Sequence, residues 1–315
     1  MATVTTVNTS YAGEFAGQYI AAALLSGNTL ANGLITVKPN VKVKEVLKSL
    51  DYGSAIKDGS CNFTDEGTIT LDERILEPEE FQVNISTCKR DYQSDWEAIA
   101  MGYSQLNQKM PPKFSDFFIA RLSADVAASV ETSIWQGDTA VSGQFNGFTT
   151  EFAKAAFGAA GGTTIAPVGG GIDSTNVLAE MGKVIDAIPS TLYSKEDMTI
   201  YVSQNVARAY VRALGGFVAT IGSNGIQGNG PMWYNGQTLS FEGVSVVVAN
   251  GLPDNRMVAC QKQNLYFGTG LLSDHNEVKL IDMADIDGSQ NVRFVMRYTA
   301  GVQYGIAADI VYYGA

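Results

Sequence analysis

The spacing of apolar positions changes several times along the chain, and each change marks a new element. The clearest helical stripe lies at 114–136, where Phe118, Leu122, Val126, Val130 and Ile134 recur every fourth residue with Phe117 and Ala127 beside them. Ser115 is placed to cap this helix and Gly137 to close it, while Met110-Pro111-Pro112 is expected to forbid helix. At 1.5 Å per residue it is a rod of roughly 35 Å, suited to the spine of an elongated body. A second helix is predicted from about Ser174, with Val177, Leu178, Met181, Val184, Ile185 and Ile188 on one face and Pro189 as its stop. A third covers 205–214, with Val206, Tyr210, Val211 and Leu214 inward. Ser94-Asp95-Trp96-Glu97 is a capping box for a short helix ending near Gly102, and Ser10 can cap a helix carrying Tyr11, Phe15, Tyr19 and Ala22 on one side.

Period two replaces this pattern elsewhere. Phe81, Val83, Ile85 and Thr87 alternate with Gln82, Asn84, Ser86 and Cys88, and the stretch 68–71 is also β-prone. Residues 61–88 therefore read as a long hairpin whose acidic tip, 72–80, contains Pro78. So many charges cannot be buried in the chain's own core, and the hairpin is expected to project. Folded symmetrically, it brings Cys61 and Cys88 together at its base, read as two buried free thiols rather than a disulfide. Further strands are predicted at 34–37, 198–202, 244–249, 256–260, 264–268, 279–283 and 292–299, then, after a corner at Gly301, at 302–306 and 310–313.

Composition narrows the function. The 315 residues, 45% apolar and 17% charged, suit a folded chain of about two domains or one elaborate one. The balance of 21 basic against 32 acidic residues, −11, argues against a general nucleic-acid or anionic-membrane binder. A single histidine, His275, in a polar turn-like stretch, excludes multi-histidine zinc sites and reads as an exposed loop residue. Three cysteines without CxxC spacing fit neither a zinc ribbon nor a secreted disulfide scaffold. The first basic residue is Lys38 and the early apolar stretch 19–25 is short, so a soluble protein made inside the cell is expected. The glycine-rich stretch 158–171 lacks a lysine and any GxxxxGK[ST] pattern, and reads as a linker rather than a phosphate loop.

Charge is distributed unevenly. The first 37 residues carry only Glu14. Lys38, Lys42, Lys44 and Lys48 oppose Glu45 in a strip of +3, whereas residues 61–80 sum to −6, with Glu73, Glu77 and Glu79 prominent and Arg74 the lone cation. Either these are two solvated faces, or a basic strip meets an acidic loop within or between subunits.

The serial order of these parts carries a resemblance. An extended arm and an acidic hairpin precede a spine helix ending in Ile134-Trp135-Gln136-Gly137-Asp138, followed by Asn146-Gly147-Phe148. An α/β region follows, with Phe241-Glu242-Gly243-Val244-Ser245-Val246 leading to Leu252-Pro253-Asp254, and the chain closes on 292–298 and 301–313. This order resembles the major capsid proteins of tailed bacteriophages. The resemblance implies an α+β chain of the Hong Kong 97-type capsid fold: an N-arm at 1–50, an extended loop at 51–92, a peripheral domain at 93–170 and 278–300, and an axial domain at 171–277 and 301–315. It implies no fused scaffolding segment in this sequence, and a structural role without catalytic, cofactor or metal sites. The implied partners are further copies of the chain in pentamers and hexamers, a portal, decoration proteins and loosely held packaged DNA, in a virion with no membrane contact. Lys38, Lys42, Lys44, Glu73, Arg74, Glu77 and Glu79 are the candidate inter-subunit contacts. Some members crosslink through a lysine; Lys57, at the root of the loop, reads as a solvated residue instead. The alternatives are an encapsulin-like compartment shell and an α/β enzyme using the glycine-rich stretch.

Overall fold

The computed structural model describes residues 28–41, 43–53, 56, 58, 61, 68–88, 112–214, 239–270 and 279–314. The helix expected from Ser10, the capping-box helix at 94–102, the stretch 216–236, His275, Lys42 and Lys57 lie outside the described residues. In chain order the elements are α1 (Asn28–Ala31), β1 (Thr36–Lys38), β2 (Glu45–Tyr52), β3 (Ile69–Leu76), β4 (Glu79–Cys88), the long helix α2 (Pro112–Gln136), α3 (Phe148–Phe152), α4 (Ala155–Ala159), β5 (Thr163–Ile165), α5 (Val177–Asp186), α6 (Ser190–Tyr193), β6 (Met198–Val202), α7 (Gln204–Ala213), β7 (Leu239–Phe241), β8 (Val244–Val248), β9 (Met257–Gln261), β10 (Leu265–Thr269), β11 (Lys279–Asp282), α8 (Ala284–Asp287), β12 (Asn291–Tyr304) and β13 (Val311–Tyr313).

Helix α2 forms where the four-residue stripe predicts it, with Val126, Val130 and Ile134 buried and Leu122 half-buried. Against the expectation that 110–112 excludes helix, it starts at Pro112, because the fixed φ of proline suits a first turn in which its missing N–H has no partner to lose. Ser115 is therefore inside the helix and not its cap. At the other end the chain crosses back over the helix terminus: Gly147 N–H donates to the Gly137 carbonyl at 2.9 Å, and the Thr149 and Thr150 hydroxyls donate to the carbonyls of Trp135 and Gly137, each at 2.7 Å. These bonds satisfy carbonyls that the helix end leaves open. A Cβ on Gly137 would sit 2.1 Å from the Phe145 carbonyl oxygen, so only glycine permits the crossing.

Among the described residues, one sheet has the order β1-β10-β12-β11, with β4 on the opposite edge of β12. Ala300 fixes that placement, being paired with Thr269 of β10 on one side and Glu79 of β4 on the other. The expected corner at Gly301 is absent, and β12 runs through it as one strand of 14 residues. The glycine serves close approach instead: a Cβ there would meet the Glu77 oxygen and Pro78 Cα, each at 2.9 Å.

The second sheet has the order β5-β13-β9-β6-β8-β7 and is covered on both faces. All five positions of β6 are buried, and alternate residues serve different cores. Met198, Ile200 and Val202 meet Val177, Met181 and Val184 of α5 and Val206 and Tyr210 of α7. Tyr201 faces the other way, into the aromatic core around Trp135 and Phe148. Strand β9 splits likewise, with Val258 and Cys260 on one side and Met257 and Ala259 on the other. Leu214, expected inward, is exposed, because α7 ends one residue earlier at Ala213. The glycine-rich stretch supplies β5, which pairs in parallel with β13, and helix α5 begins at Val177 after a turn held by the Asp173 carboxylate.

The hairpin expected at 61–88 is corrected. Strand β3 pairs antiparallel with β2, not with β4, and β4 pairs with β12 over ten positions. A period-two pattern cannot say which strand lies beside which, and β12 offers β4 a longer complementary apolar face than the short stretch 68–71. The acidic segment 72–80 therefore lies on β3 and at the turn into β4, where the ribbon meets the body. Cys61 is exposed between β2 and β3, and Cys88 is half-buried at the end of β4 opposite Asn291, both as free thiols.

Candidate assembly surface

Strands β2 and β3 form a ribbon that shares no strand pairing with either large sheet. Its register pairs Val46 with Ile75, Lys48 with Glu73, Leu50 with Leu71 and Tyr52 with Ile69. Directly opposed residues point to one side of a sheet. One face thus carries Val46, Leu50, Ile69, Leu71 and Ile75 around the Lys48 and Glu73 positions. Ile69 and Leu71 are 65% and 70% exposed, and Val46, Leu50 and Ile75 are 43–48% exposed. A two-stranded ribbon is marginal alone in water, and this one turns five large apolar side chains outward. Covering them would contribute about 1 kcal/mol each, roughly 5 kcal/mol per copy.

The opposite face anchors the ribbon. Leu76 is fully buried against Gly268, where a Cβ would come within 2.9 Å of its side chain. The Arg74 guanidinium lies 4.7 Å from the Tyr304 ring centroid, a cation–π contact, and Gln303 Nε2 donates to the Ile75 carbonyl at 3.0 Å. At the root, Lys44 Nζ meets Glu77 at 2.9 Å, and Lys38 Nζ meets Glu45 at 2.7 Å while lying 5.6 Å from the Tyr266 ring centroid. Partly exposed pairs of this kind contribute about 0–1 kcal/mol each, so they set direction more than stability.

The basic strip and the acidic segment thus meet within one chain, at Lys44 and Glu77. Lys38, Lys44, Arg74 and Glu77 are all engaged at the ribbon root. Glu73 sits on the apolar face opposite Lys48, Glu79 opens β4 opposite Ala300, and Lys42 is outside the described residues. The apolar face itself was not expected from the sequence.

The root of the N-terminal arm is also fixed. Thr29, with no exposed surface, donates its hydroxyl to the buried Glu131 carboxyl and accepts a hydrogen bond from Trp135 Nε1 at 2.8 Å. The Thr29 backbone N–H points at the same carboxyl, 3.1 Å from its nearer oxygen. Asn28 Nδ2 donates to the Val248 carbonyl and the Tyr201 hydroxyl to the Leu34 carbonyl. Residues 28–34 therefore tie α2 to β6 and β8. Among the described residues no group of three or more His, Cys, Asp or Glu side chains is placed to hold a metal ion, and no helix is long and apolar enough to cross a membrane.

The sequence matches no protein-family model and no curated protein. The fold does match solved structures over nearly its full length. The capsid of an empty GTA particle superposes with a TM-score of 0.60 at 14% identity, covering 98% of this chain and 96% of that one. The capsid of Myoviridae phage XM1 gives 0.59 at 10% identity, covering 98% and 97%. The capsid of cyanophage P-SCSP1u gives 0.56 at 12% identity, covering 98% and 92%. The chain therefore has the phage-capsid fold, the Hong Kong 97-type architecture that its order of elements resembles.

Proposed function

We propose that this chain is a major capsid subunit, assembling through pentamers and hexamers into the icosahedral head of a tailed phage around double-stranded DNA. The observation that carries the reading is the uncovered apolar face of the β2–β3 ribbon on a chain with a capsid fold. A lone subunit leaves that face in water, and a neighbouring copy would cover it. Many such modest contacts, repeated by symmetry, add up to a closed shell. In this reading Lys38, Lys44, Arg74 and Glu77 aim the ribbon, and Glu73, Glu79 and Lys42 meet a neighbour. The proposed division is an arm at 1–50, whose last strand β2 forms half of the ribbon, a loop at 51–92, whose strand β4 returns to the body sheet, a peripheral domain at 93–170 and 278–300 and an axial domain at 171–277 and 301–315. The subunit acts without catalysis or cofactor, in the virion, beside a portal and decoration proteins. Its excess of acidic residues keeps contact with packaged DNA weak and non-specific.

Negative-stain microscopy of the expressed protein tests this. Closed polyhedral particles or capsomer rings are expected, and the pair of changes Leu50→Asp and Leu71→Asp should abolish them while circular dichroism stays that of a folded subunit. A monodisperse monomer across wide ranges of concentration and salt, or normal shells from the double variant, would refute it.

A further inference from the structure

A cavity of about 360 Å³ separates the ribbon from the body. Its ribbon wall is the run 46–50, and since neighbouring strand residues point to opposite faces, β2 meets the cavity edge-on. That edge has no strand beside it among the described residues, because β2 pairs with β3 alone. The body wall includes Gln263, Asn264, Ile306 and Asp309. It is firmly built: Asn264 Nδ2 donates to the Ile306 carbonyl at 2.8 Å, and Asn264 Oδ1 accepts from the Ile306 N–H at 2.7 Å. The Ile306 side chain is nonetheless 46% exposed, much like Val46 and Leu50 on the other wall.

The two walls hold complementary groups. Lys48 lies opposite Glu73 in the strand register, yet neither Lys48 nor Asp309 closes an ion pair among the described residues. Burial pushes the Asp309 carboxyl up, and the Lys195 charge offsets this only in part, so a second cation would stabilise the carboxylate. The anchors at Lys44, Glu45, Arg74 and Leu76 sit at the root of the ribbon, and beyond them two strands twist and bend readily. We propose that in the lone subunit the ribbon closes onto the body as a strap, Lys48 meeting Asp309 and the β2 edge meeting Gln263 and Ile306, and that this contact holds back assembly until a neighbouring copy displaces it. Closure covers the open strand edge while the subunit is free, which guards against uncontrolled pairing. It also withdraws Val46 and Leu50 from the face that a neighbour would cover. A ribbon closed about nine times in ten would weaken that contact about tenfold. The strap rests on the shell reading only for what displaces it, since closure is a property of the single chain.

Disulfide stapling tests it. In a Cys61→Ser, Cys88→Ser background that leaves the buried Cys260, Ser49→Cys is combined with Gln263→Cys or with Ile306→Cys. A disulfide needs its two Cα atoms within about 7 Å, so it reports the closed ribbon. Dilute subunits, shown to be folded by circular dichroism, should form the bond within one chain on oxidation for at least one pair. The stapled subunit should then fail to assemble where its reduced form gives particles by microscopy. Separately, Asp309→Asn removes the charge that holds Lys48 and should lower the concentration for half-assembly at least about threefold, whereas a merely structural role would not lower it. No bond within the chain for either pair, a stapled subunit that assembles as readily as its reduced form, or an Asp309→Asn threshold no lower than the parent's would overturn the strap alone. If the reduced and parent proteins never assemble, the shell reading fails and the inhibitory role falls with it, while the disulfide of the dilute subunit still decides whether the ribbon closes.

Discussion

Replacing Thr29 by valine keeps the shape of a fully buried side chain and removes one hydroxyl, yet that hydroxyl serves two partners. Trp135, itself without exposed surface, loses the acceptor for its indole N–H, and among the described residues the Glu131 carboxyl keeps the Thr29 backbone N–H. An orphaned buried donor costs about 1–3 kcal/mol, and a lost hydrogen bond to a carboxyl group about as much again. The extra buried methyl returns about 0.8 kcal/mol, leaving a net loss of about 3 kcal/mol. Thr29→Ser keeps the hydroxyl and gives up only a methyl, so it should cost about 1 kcal/mol. Urea unfolding of the two variants, followed by Trp135 fluorescence with Trp96 and Trp233 changed to phenylalanine and with all samples in the same assembly state, separates the cases. A valine variant within 0.5 kcal/mol of the parent, within the ~1 kcal/mol scale of a weak hydrogen bond, would refute the clasp. So would a serine variant as unstable as the valine one.

Other expectations follow from the same geometry. Gly301→Ala places a Cβ against the backbone of Glu77 and Pro78, which cannot yield as a side-chain tip would, so thermal unfolding should show a loss of about 2 kcal/mol and proteolysis a loosened turn at 77–78; an unchanged melting temperature would contradict it. Burial pushes the Glu180 carboxyl up, but hydrogen bonds from Lys183 and Tyr313 and the Lys183 charge outweigh this and hold its pKa below the ordinary value of 4.5. A lowered folded-state pKa stabilises the protein above the unfolded value and is lost as pH falls through the folded one. Glu180→Gln should therefore flatten the decline in melting temperature below about pH 4.5, and an identical acid limb in both proteins would count against it. Raising salt from about 0.05 to 0.5 M should favour assembly, by screening repulsion between copies of net charge −11, whereas assembly driven by a basic strip on an acidic loop would weaken; light scattering distinguishes them.

What the sequence made legible follows its periodicities. The α2 stripe, the α5 face apart from the exposed Leu178, and strand β6 are each set by local alternation, and each lies within a residue or three of its expected bounds. Pairing is not local. The alternation at 81–88 is equally compatible with β3 or β12 as partner, and only the ten-position match to Asn291–Ala300 decides. Strand β2 is hidden in the sequence for a related reason. Val46, Lys48 and Leu50 alternate with Glu45, Leu47 and Ser49, but the lysines dominate the segment as a charge strip. With β2 unseen, the exposure of Leu71 and Ile75 could not be recognised as one face. Nor could the Thr29–Glu131–Trp135 clasp be read, since its members are about a hundred residues apart. Gly301 misled in the other direction: a glycine in a strand signals either a bend or a close approach, and here the Glu77–Pro78 turn lies against it.

The division of labour within the ribbon explains why its charges and its apolar residues sit where they do. A projecting two-stranded element is useful for assembly only if it leaves the body at one angle, because a copy that must be caught in many orientations costs more entropy to dock. The root supplies that constraint with short-range devices: Leu76 wedged at Gly268, Arg74 over Tyr304, Lys44 on Glu77 and Lys38 on Glu45. Each is weak by itself, but together they restrain the root of the ribbon at Lys44, Glu45, Arg74, Leu76 and Glu77. With these cations and carboxylates already engaged inside the subunit, what the ribbon chiefly offers outward is apolar area and a strand edge. Apolar contact is non-directional and backbone pairing is sequence-tolerant, so both suit the proposed interface, which in a shell would recur with small angular changes between fivefold and sixfold neighbours. A ribbon fixed by its root and generic at its surface meets that requirement; a pattern of exposed ion pairs, tuned to one distance, would not.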